Sequence, residues 1–429
     1  MKHATAAVAA PYVITSNALG GNGRPPASER ITMGFIGVGG QGGGHLYGGA
    51  WTYLPAGYVA RDEVQVLGVC DIHRGRREFA LQRVNEQYSK NANSGRYKAC
   101  QGYIDFREIL ARRDIDAVLI ATPIHWHAMM TVMAAKAGKD VYCEKPIALT
   151  VREGGAMQDA IRRYGRVFQA GTQQRSEYGG KFRLACELVR SGRIGKLKTV
   201  YGYEHGGGFV WRKWFGGGRP VPPEIDWELF LGPAPWSPFN GSLDAHLFGF
   251  GGINWGQHHY DIVQWGVNAD DTDPVDLGVE DGKLMMRYAN GVVVYGCAYP
   301  DPTLGLGPNV RFVGEGGVVF VGTEGKIAVD RQQILSNPVE ILKKRLGPSD
   351  TRLYFSQSHS GNFLECVRTR KKPITDIDTS YRAVKLLLLG GIAEQLKRPL
   401  KWDPEREQFV NDTEANRMLS VAYRAPWRL

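Results

Sequence analysis

The chain has 429 residues, 43% hydrophobic and 22% charged, with a formal net charge of +10. That length calls for two domains with their own cores, in the composition range of ordinary globular proteins. No apolar run reaches the eighteen or so residues of a membrane span. The basic residues are scattered, with "RGRRE" (74–78) and "RTRKK" (368–372) the closest clusters. No helix-turn-helix, zinc-finger or RNA-binding signature accompanies them, which argues against nucleic acid and for a solvated basic surface suited to acidic glycans. Six cysteines stand at 70, 100, 143, 186, 297 and 366 without a CxxC pair, so buried free thiols are expected rather than a zinc ribbon or disulfide framework.

In chain order, "ATAAVAAPYVITSNALG" (4–20) is small and apolar up to Ile14, then polar, like the back half of an export signal. From Ile31 to about Gln174, the runs "ITMGFIGV", "VQVLGVCD", "DAVLIAT", "DVYCEKP" and "RVFQAGT" alternate with helical patterns such as 125–137 and 151–164. This alternation predicts an α/β domain, a parallel sheet covered by helices on both faces.

"GFIGVGGQGGGH" fits G-x-G-x-x-G at Gly37, Gly39 and Gly42, between a predicted strand and a helix. The first glycine makes the tight turn and the second lets backbone approach a pyrophosphate. The third lets helix pack on strand, and the helix N-terminus faces the phosphate charge. Gly40 and Gln41 share that loop. Asp71 ends the next strand, where a carboxylate accepts from the adenosine ribose hydroxyls and favours NAD over NADP. The gap from Gly42 to Asp71 exceeds the usual spacing, and an insertion at "YLPAGYVARDE" accounts for it. Arg74, Arg76 and Arg77 leave NADP as the alternative.

After about Arg175 one helix is predicted over 181–190. Strands then dominate in "KTVYGYEH", "KLMMRYAN", "GVVVYGCAY" and "VRFVGEGGVVFVGTEGKIAVD". Turns at Asn290-Gly291 and Glu324-Gly325 suit an antiparallel sheet. Residues 206–252, rich in Gly, Pro and Trp, read as long functional loops. Two helices near 359–369 and 379–396 close the fold. The expected organisation is an N-terminal segment 1–30, a dinucleotide-binding domain 31–174 and a second domain 175–429.

The motifs "ATPIHWHA", "YCEKPIALT", "GTQQRS" (171–176), "WELFLGPAPW" (227–236), "NWGQHHYDIVQWG" (254–266) and "NFLECVRTRKKPI" (362–374) carry a family resemblance. With the closing "KWDPEREQFVNDTEAN…YRAPWRL", they resemble the Gfo/Idh/MocA oxidoreductases, in the bacterial subgroup with the second type of C-terminal domain. The match spans nearly all of 31–429. It implies a Rossmann domain and an α+β domain whose open antiparallel sheet lines the substrate cleft and mediates oligomerisation. It further implies an NAD(P)-dependent enzyme acting on a carbohydrate, assembled as a homo-oligomer, dimer or tetramer.

In this resemblance Lys145 of E-K-P points at the reacting hydroxyl. Pro146 biases it toward an extended or turn conformation at a strand end, outside the carboxyl edge of a parallel sheet, where ligands bind. A lysine there stabilises a developing alkoxide. Thr122, Pro123, His125, His127, Glu144 and Gln173 are assigned to the cofactor. As a helix, "NWGQHHYDIVQW" puts Asn254, His258, Asp261 and Trp265 on one face. The family places an acid and, four residues on, a histidine at the substrate. His258 matches the histidine and Asn254 replaces the acid, which throws base duty on His258, with His259 or Tyr260 as alternatives. Gln174 is assigned to substrate or cofactor, and Arg175, Trp211, His259, Asp261 and His359 to the substrate. Trp211, Trp214 and Trp236 suit sugar stacking or loop packing. Glu204, His205, His246, His258 and His259 lack the spacing of a metal site, and no metal is expected.

The expected function is NAD-dependent oxidation of a secondary hydroxyl of a sugar or glycoside, with tightly held cofactor. The alternative is a redox-neutral glycosidase working through a keto-sugar. The intact Glu144-Lys145-Pro146 leans away from the N-acetylgalactosaminidase branch, where that motif is unusual. A third reading, a non-catalytic cofactor-bound sensor, is opposed by the presence of Lys145 and His258. Residues 4–20 resemble the later parts of a twin-arginine signal, although only Lys2 and His3 precede them and the Arg-Arg pair is absent. The expectation is export by that route, from a true start not seen here. An N-terminal arm reaching a neighbouring subunit is the alternative, and with it a cytoplasmic enzyme.

Overall fold

Residues Ile31–Ile36 (β1) are apolar on both faces and lie in the middle of a sheet, as a near-continuous hydrophobic run requires. In the computed structural model the same holds for Val64–Cys70 (β2), Ala117–Ile120 (β4) and Asp140–Cys143 (β5). Gln101–Tyr103 (β3) and Phe168–Ala170 (β6) form the edges. All six strands run parallel in the order β3-β2-β1-β4-β5-β6. The order reverses beside β1, and ligands bind at such a switch point, outside the carboxyl ends of the strands. The structure describes residues 27–49, 52–91, 100–202, 218–243, 253–307, 312 and 317–429. The export-signal stretch, Trp211, Trp214, Glu204, His205 and His246 lie outside them, as do the side-chain contacts of Asn254.

The helices sit close to their predicted places. Gly40–Tyr47 (α1) follows the glycine loop, and Val151–Tyr164 (α2) starts at a capping box in which Thr150 and Glu153 exchange side-chain bonds with each other's backbone N–H. The expected helix at 125–137 divides into a 3₁₀ turn, Ile124–Trp126, and His127–Lys136 (α3). Lys181–Arg190 (α4), Ile253–Val267 (α5), His359–Thr369 (α6) and Ile377–Leu396 (α7), with the 18-residue helix Arg74–Asn91 after β2, complete the main set. One short helix, Trp227–Leu231, lies in the stretch read as loops, started by Asp226, whose side chain accepts from Leu229 N–H. The "YLPAGYVARDE" insertion folds against α1 and buries Tyr58 and Val59.

The second sheet has nine strands. They are Leu197–Gly202 (β7), Asp276–Glu280 (β8), Lys283–Arg287 (β9), Val293–Tyr295 (β10), Val318–Gly322 (β11), Lys326–Val329 (β12), Ile334–Asn337 (β13), Leu400–Asp403 (β14) and Gln408–Phe409 (β15). The order is β13-β12-β11-β7-β10-β9-β8-β14-β15. Every pair is antiparallel except β7 with β10, so the expected antiparallel sheet carries one parallel pair. Helices α5 and α7 pack against it.

The chain returns to the first domain after building most of the second. Phe363, Leu364, Cys366 and Val367 of α6 join the core beneath β1 and β2. Thr375 bonds the backbone of Ala170 at the β6 edge, and Arg370 forms an ion pair with Asp140. The predicted boundary at 174 therefore marks where the chain first leaves the Rossmann sheet, and α6 belongs structurally to that sheet. All six cysteines are free, and only Cys297 is not buried.

Candidate active site

A cleft of about 370 Å³ opens at the carboxyl edge of the parallel sheet. Gly37, Gly39, Gly40, Gln41, Asp71, Arg76, Thr122, Pro123, Glu144 and Lys145 all line it. Gly37 has φ +81°, and a Cβ there would lie 2.6 Å from the Ala121 carbonyl oxygen, so only glycine makes this turn. A Cβ on Gly40 would meet nothing within 4 Å, because that residue faces the open cleft. Gly42 stands behind the loop, where a Cβ would come within 1.8 Å of the Gly37 carbonyl oxygen. Its role is close packing rather than contact. No side chain caps α1, which leaves its first N–H groups to the cleft. These features fit a dinucleotide pyrophosphate.

Asp71 is buried at the end of β2. Its carboxylate accepts from Val38 N–H at 3.0 Å and His73 N–H at 2.9 Å, which leaves acceptor capacity for ribose hydroxyls. Of the three nearby arginines only Arg76 lines this cleft. Arg77 donates to the Asp71 carbonyl at 2.8 Å and is turned away.

At the far end Glu144 and Lys145 follow β5. Glu144 is buried and accepts from His45 Nε2 at 2.7 Å. Gln173 reaches the same carboxylate at 3.4 Å and Tyr142 Oη at 3.2 Å. Gln173 thus supports Glu144 and is not among the cleft-lining side chains. Lys145 is partly buried, and burial pulls its pKa below the ordinary lysine value, with Glu144 opposing and Arg331 adding to the fall. Its Nζ lies 5.8 Å from the centre of the Trp255 ring on α5. Lys145 therefore belongs both to the cofactor cleft and to the face of the second domain.

That face holds His258 and His259, which are 3% and 0% exposed. Burial, then the charges of Lys145 and Arg331, drive the His258 pKa well below 6.5. His259 falls to about 3 by burial, with Arg331 and Lys145 contributing. Among the described residues Nδ1 of His258 and both ring nitrogens of His259 have no hydrogen-bond partner. Gln174 Nε2 donates to the His258 carbonyl at 3.1 Å, which fixes this turn of the helix.

Five assignments are corrected by the geometry. Arg175 and Asp261, expected at the substrate, form a buried ion pair at 2.8 Å that Asp270 shares. Arg175 also lies over the Trp265 ring, and the group locks α5 in place. His359, expected at the substrate, is buried with Nε2 2.8 Å from the Ala170 carbonyl, where it joins α6 to β6. His125, expected at the cofactor, is buried with Nε2 2.8 Å from the Phe230 carbonyl, outside the cleft lining. His127 stands between two carbonyls, 2.7 Å from Pro146 and 2.8 Å from Thr122. It props the cleft wall from behind. Trp236 is 63% exposed.

Two residues were missed. His45 hides one turn past the glycine motif, where its only signal is an imidazole in an otherwise small, apolar helix. Arg331 follows β12 in "AVDRQQ", and nothing in its neighbourhood marks it.

Comparison with known proteins agrees with this architecture. Residues 31–172 match the family described as "Oxidoreductase family, NAD-binding Rossmann fold". Residues 182–295 and 318–429 match "Oxidoreductase family, C-terminal alpha/beta domain". An alpha-N-acetylgalactosaminidase of Shewanella oneidensis is 30% identical over 172 residues, 40% of this chain and 34% of that protein. A glycosyl hydrolase family 109 protein of Shewanella sp. strain ANA-3 is 30% identical over 173 residues, with the same shares. The chain thus matches about a third of the length of these curated relatives. Among solved structures, the WlbA dehydrogenase of Chromobacterium violaceum, in complex with NADH and UDP-GlcNAcA, has TM-score 0.56 at 17% identity, covering 89% of this chain and 98% of that one. The aldose-aldose oxidoreductase of Caulobacter crescentus has TM-score 0.55 at 19% identity, covering 87% and 99%. At those identities the likeness is one of fold. With both halves matched, the chain belongs to the Gfo/Idh/MocA family of oxidoreductases, in the branch with the second type of C-terminal domain.

Proposed function

We propose that the protein is an NAD-dependent oxidoreductase acting on a secondary hydroxyl of a sugar or glycoside. The observation that carries the reading is the position of Lys145, which lines the dinucleotide cleft while its Nζ sits over Trp255 of the other domain. A bound nicotinamide dinucleotide supplies the two-electron acceptor. Gly37, Gly39, Gly40 and Gln41 hold its pyrophosphate end, and Asp71 reads the ribose. The Asp71 carboxylate, repelling a 2′-phosphate, favours NAD, against the pull of Arg76 toward NADP. Lys145 sets positive charge where the reacting oxygen is to sit. His258 is neutral at neutral pH and its Nδ1 has no partner among the described residues, which leaves the ring open to the hydroxyl proton, a transfer that its lowered pKa makes harder. Incubating the protein with a glycan panel and following the absorbance and mass of its cofactor tests the reading. No reduction by any sugar would overturn it.

A second reading is a redox-neutral glycosidase, favoured by the 30% identity over 172 residues to the alpha-N-acetylgalactosaminidase of Shewanella oneidensis. Release of phenol from a nitrophenyl glycoside with no net change in reduced cofactor would select it. With either activity goes export by the twin-arginine route, supported by the composition of residues 4–20. That route carries folded proteins, and outside the cytoplasm no nicotinamide pool exists to exchange with. Protein purified without added cofactor should then carry near-stoichiometric NAD(H) through gel filtration. Active apoprotein that exchanges NAD freely would return the enzyme to the cytoplasm. Association into a homo-oligomer is part of the same reading, and sedimentation checks it.

A further inference from the structure

Arg331 enters the site from the turn between β12 and β13. Asp330 builds that turn, its Oδ1 accepting from Gln332 N–H at 2.8 Å and Gln333 N–H at 2.7 Å. The carboxylate next in sequence is therefore spent on backbone. Arg331 Nε donates to Gln174 Oε1 at 3.1 Å. Its guanidinium carbon lies 4.6 Å from the centre of the Trp255 ring and 5.0 Å from that of Tyr178. Two aromatic faces and one hydrogen bond thus fix the plane of the group. Among the described residues no carboxylate pairs with it, and neither Nη donates to an acceptor.

Among the described residues, the side chains that share this face with Arg331 are cationic or neutral. Lys145 shares the Trp255 ring, and His258 and His259 are neutral at neutral pH. The acid nearest Lys145 in sequence, Glu144, is taken up by His45 and by the Lys145 N–H. Two cations sharing one partly buried indole repel each other, and an anion between them removes that cost. A planar guanidinium whose Nη groups have no acceptor among the described residues matches a carboxylate in bidentate fashion.

We propose that Arg331 is a substrate-binding residue that receives a carboxylate, so that the sugar oxidised beside Lys145 is a sugar acid or an acidic glycoside. The oxidation rests on the function proposed above; the binding of the acid does not. The carboxylate would pair with the Arg331 guanidinium, within the field of both cations, while the hydroxyl to be oxidised faces Lys145.

The test pairs each sugar acid with its neutral parent. NAD-loaded full-length protein is titrated calorimetrically with glucuronate, glucose, galacturonate, galactose and glucose 6-phosphate, and cofactor reduction is followed in the same samples. The acids should bind at least about ten-fold tighter than their parents, and Arg331→Met should remove most of that preference. Equal affinity within each pair in the unsubstituted protein overturns the proposal, without reliance on any variant. So does a preference unchanged in Arg331→Met, and so does tighter binding of glucose 6-phosphate than of glucuronate. Preferential binding of the acids with no reduction by any sugar supports the carboxylate site and overturns the oxidoreductase reading. Reduction by neutral sugars alone does the reverse.

Discussion

The Nε2 atom of His45 lies 2.7 Å from Oε1 of Glu144, with both side chains almost wholly buried. The contact ties the helix that starts at the glycine loop to the strand end that carries Lys145. Burial alone would raise the Glu144 pKa. The hydrogen bond and charge of His45, then Lys145 and Gln41, outweigh it and hold the carboxyl below its usual range. Replacing His45 by Phe strips a buried carboxylate of its main partner and should destabilise the fold by about 3 kcal/mol. Adding Glu144→Gln should restore part of that, because a neutral amide is cheaper to bury. Urea midpoints of the single and double variants measure this, and a midpoint unmoved by His45→Phe would show that Gln41 and Gln173 suffice.

Lys145→Met and His258→Ala should each lower turnover by roughly 10²–10⁴ while leaving NAD bound and the fold intact. The pH profile carries the same information. Lys145 holds the reacting oxygen only when protonated, and its pKa is lowered from 10.5, so the alkaline limb should fall below that value. Lys145→Met should lose this limb. If His258→Ala costs no more than a few-fold, the base lies elsewhere, with His259 the next candidate.

Asp71 accepts from two backbone N–H groups and borders the same cleft as Arg76. Asp71→Ala should weaken NAD and improve NADP relative to it, since the repulsion of a 2′-phosphate disappears and Arg76 remains. Fluorescence titration with both dinucleotides decides the point. An unchanged preference would mean that another group reads the ribose.

Acid should destabilise the fold well above the usual carboxylate range. Burial lowers the pKa of His125 and His259 to about 3 and of His359 to about 4. Each folded pKa lies below its unfolded value near 6.5, so the unfolded chain binds more protons as the pH drops. The stability from these rings is full above about pH 6.5 and falls by up to ~1.4 kcal/mol per pH unit for each ring. Asp261 works in the opposite sense, since burial raises its pKa to about 6 despite Arg175. Thermal midpoints should decline as the pH falls from about 6.5 to about 5, with three rings outweighing one carboxyl. A flat profile would contradict the burial of these histidines.

The parallel sheet was legible because its strands are buried on both faces and read as unbroken apolar runs. The glycine loop was legible because local sequence dictates it, and Lys145 was singled out through the resemblance its E-K-P motif carries. Arg175 and Asp261 misled for a physical reason. The spacing put His258 and Asp261 on one face of α5, but that helix is buried on nearly all sides, so a shared face did not mean a shared cleft. Arg331 could not be found from spacing, because it meets Lys145 only through the folding of β12 and β13 onto the second sheet. The parallel pairing of β7 with β10 was hidden for the same reason: strand order within a sheet is a property of distant segments.

Helix α6 has a consequence for how such a chain can change over generations. Its apolar side chains pack beneath β1 and β2, and Thr375 in the segment that follows it bonds the backbone of the β6 edge. A gene fragment ending near residue 172, where the first family match stops, would encode a sheet that lacks the side chains of α6 from its core. The two halves are sewn together by repeated crossings of one thread, not joined end to end. Recombination cannot exchange the nucleotide-handling half for another without also importing the matching stretch from far downstream. Novelty in this lineage is therefore expected to accumulate in the turns and helix faces around the cleft, by point changes at positions such as Arg331, rather than by shuffling of whole pieces.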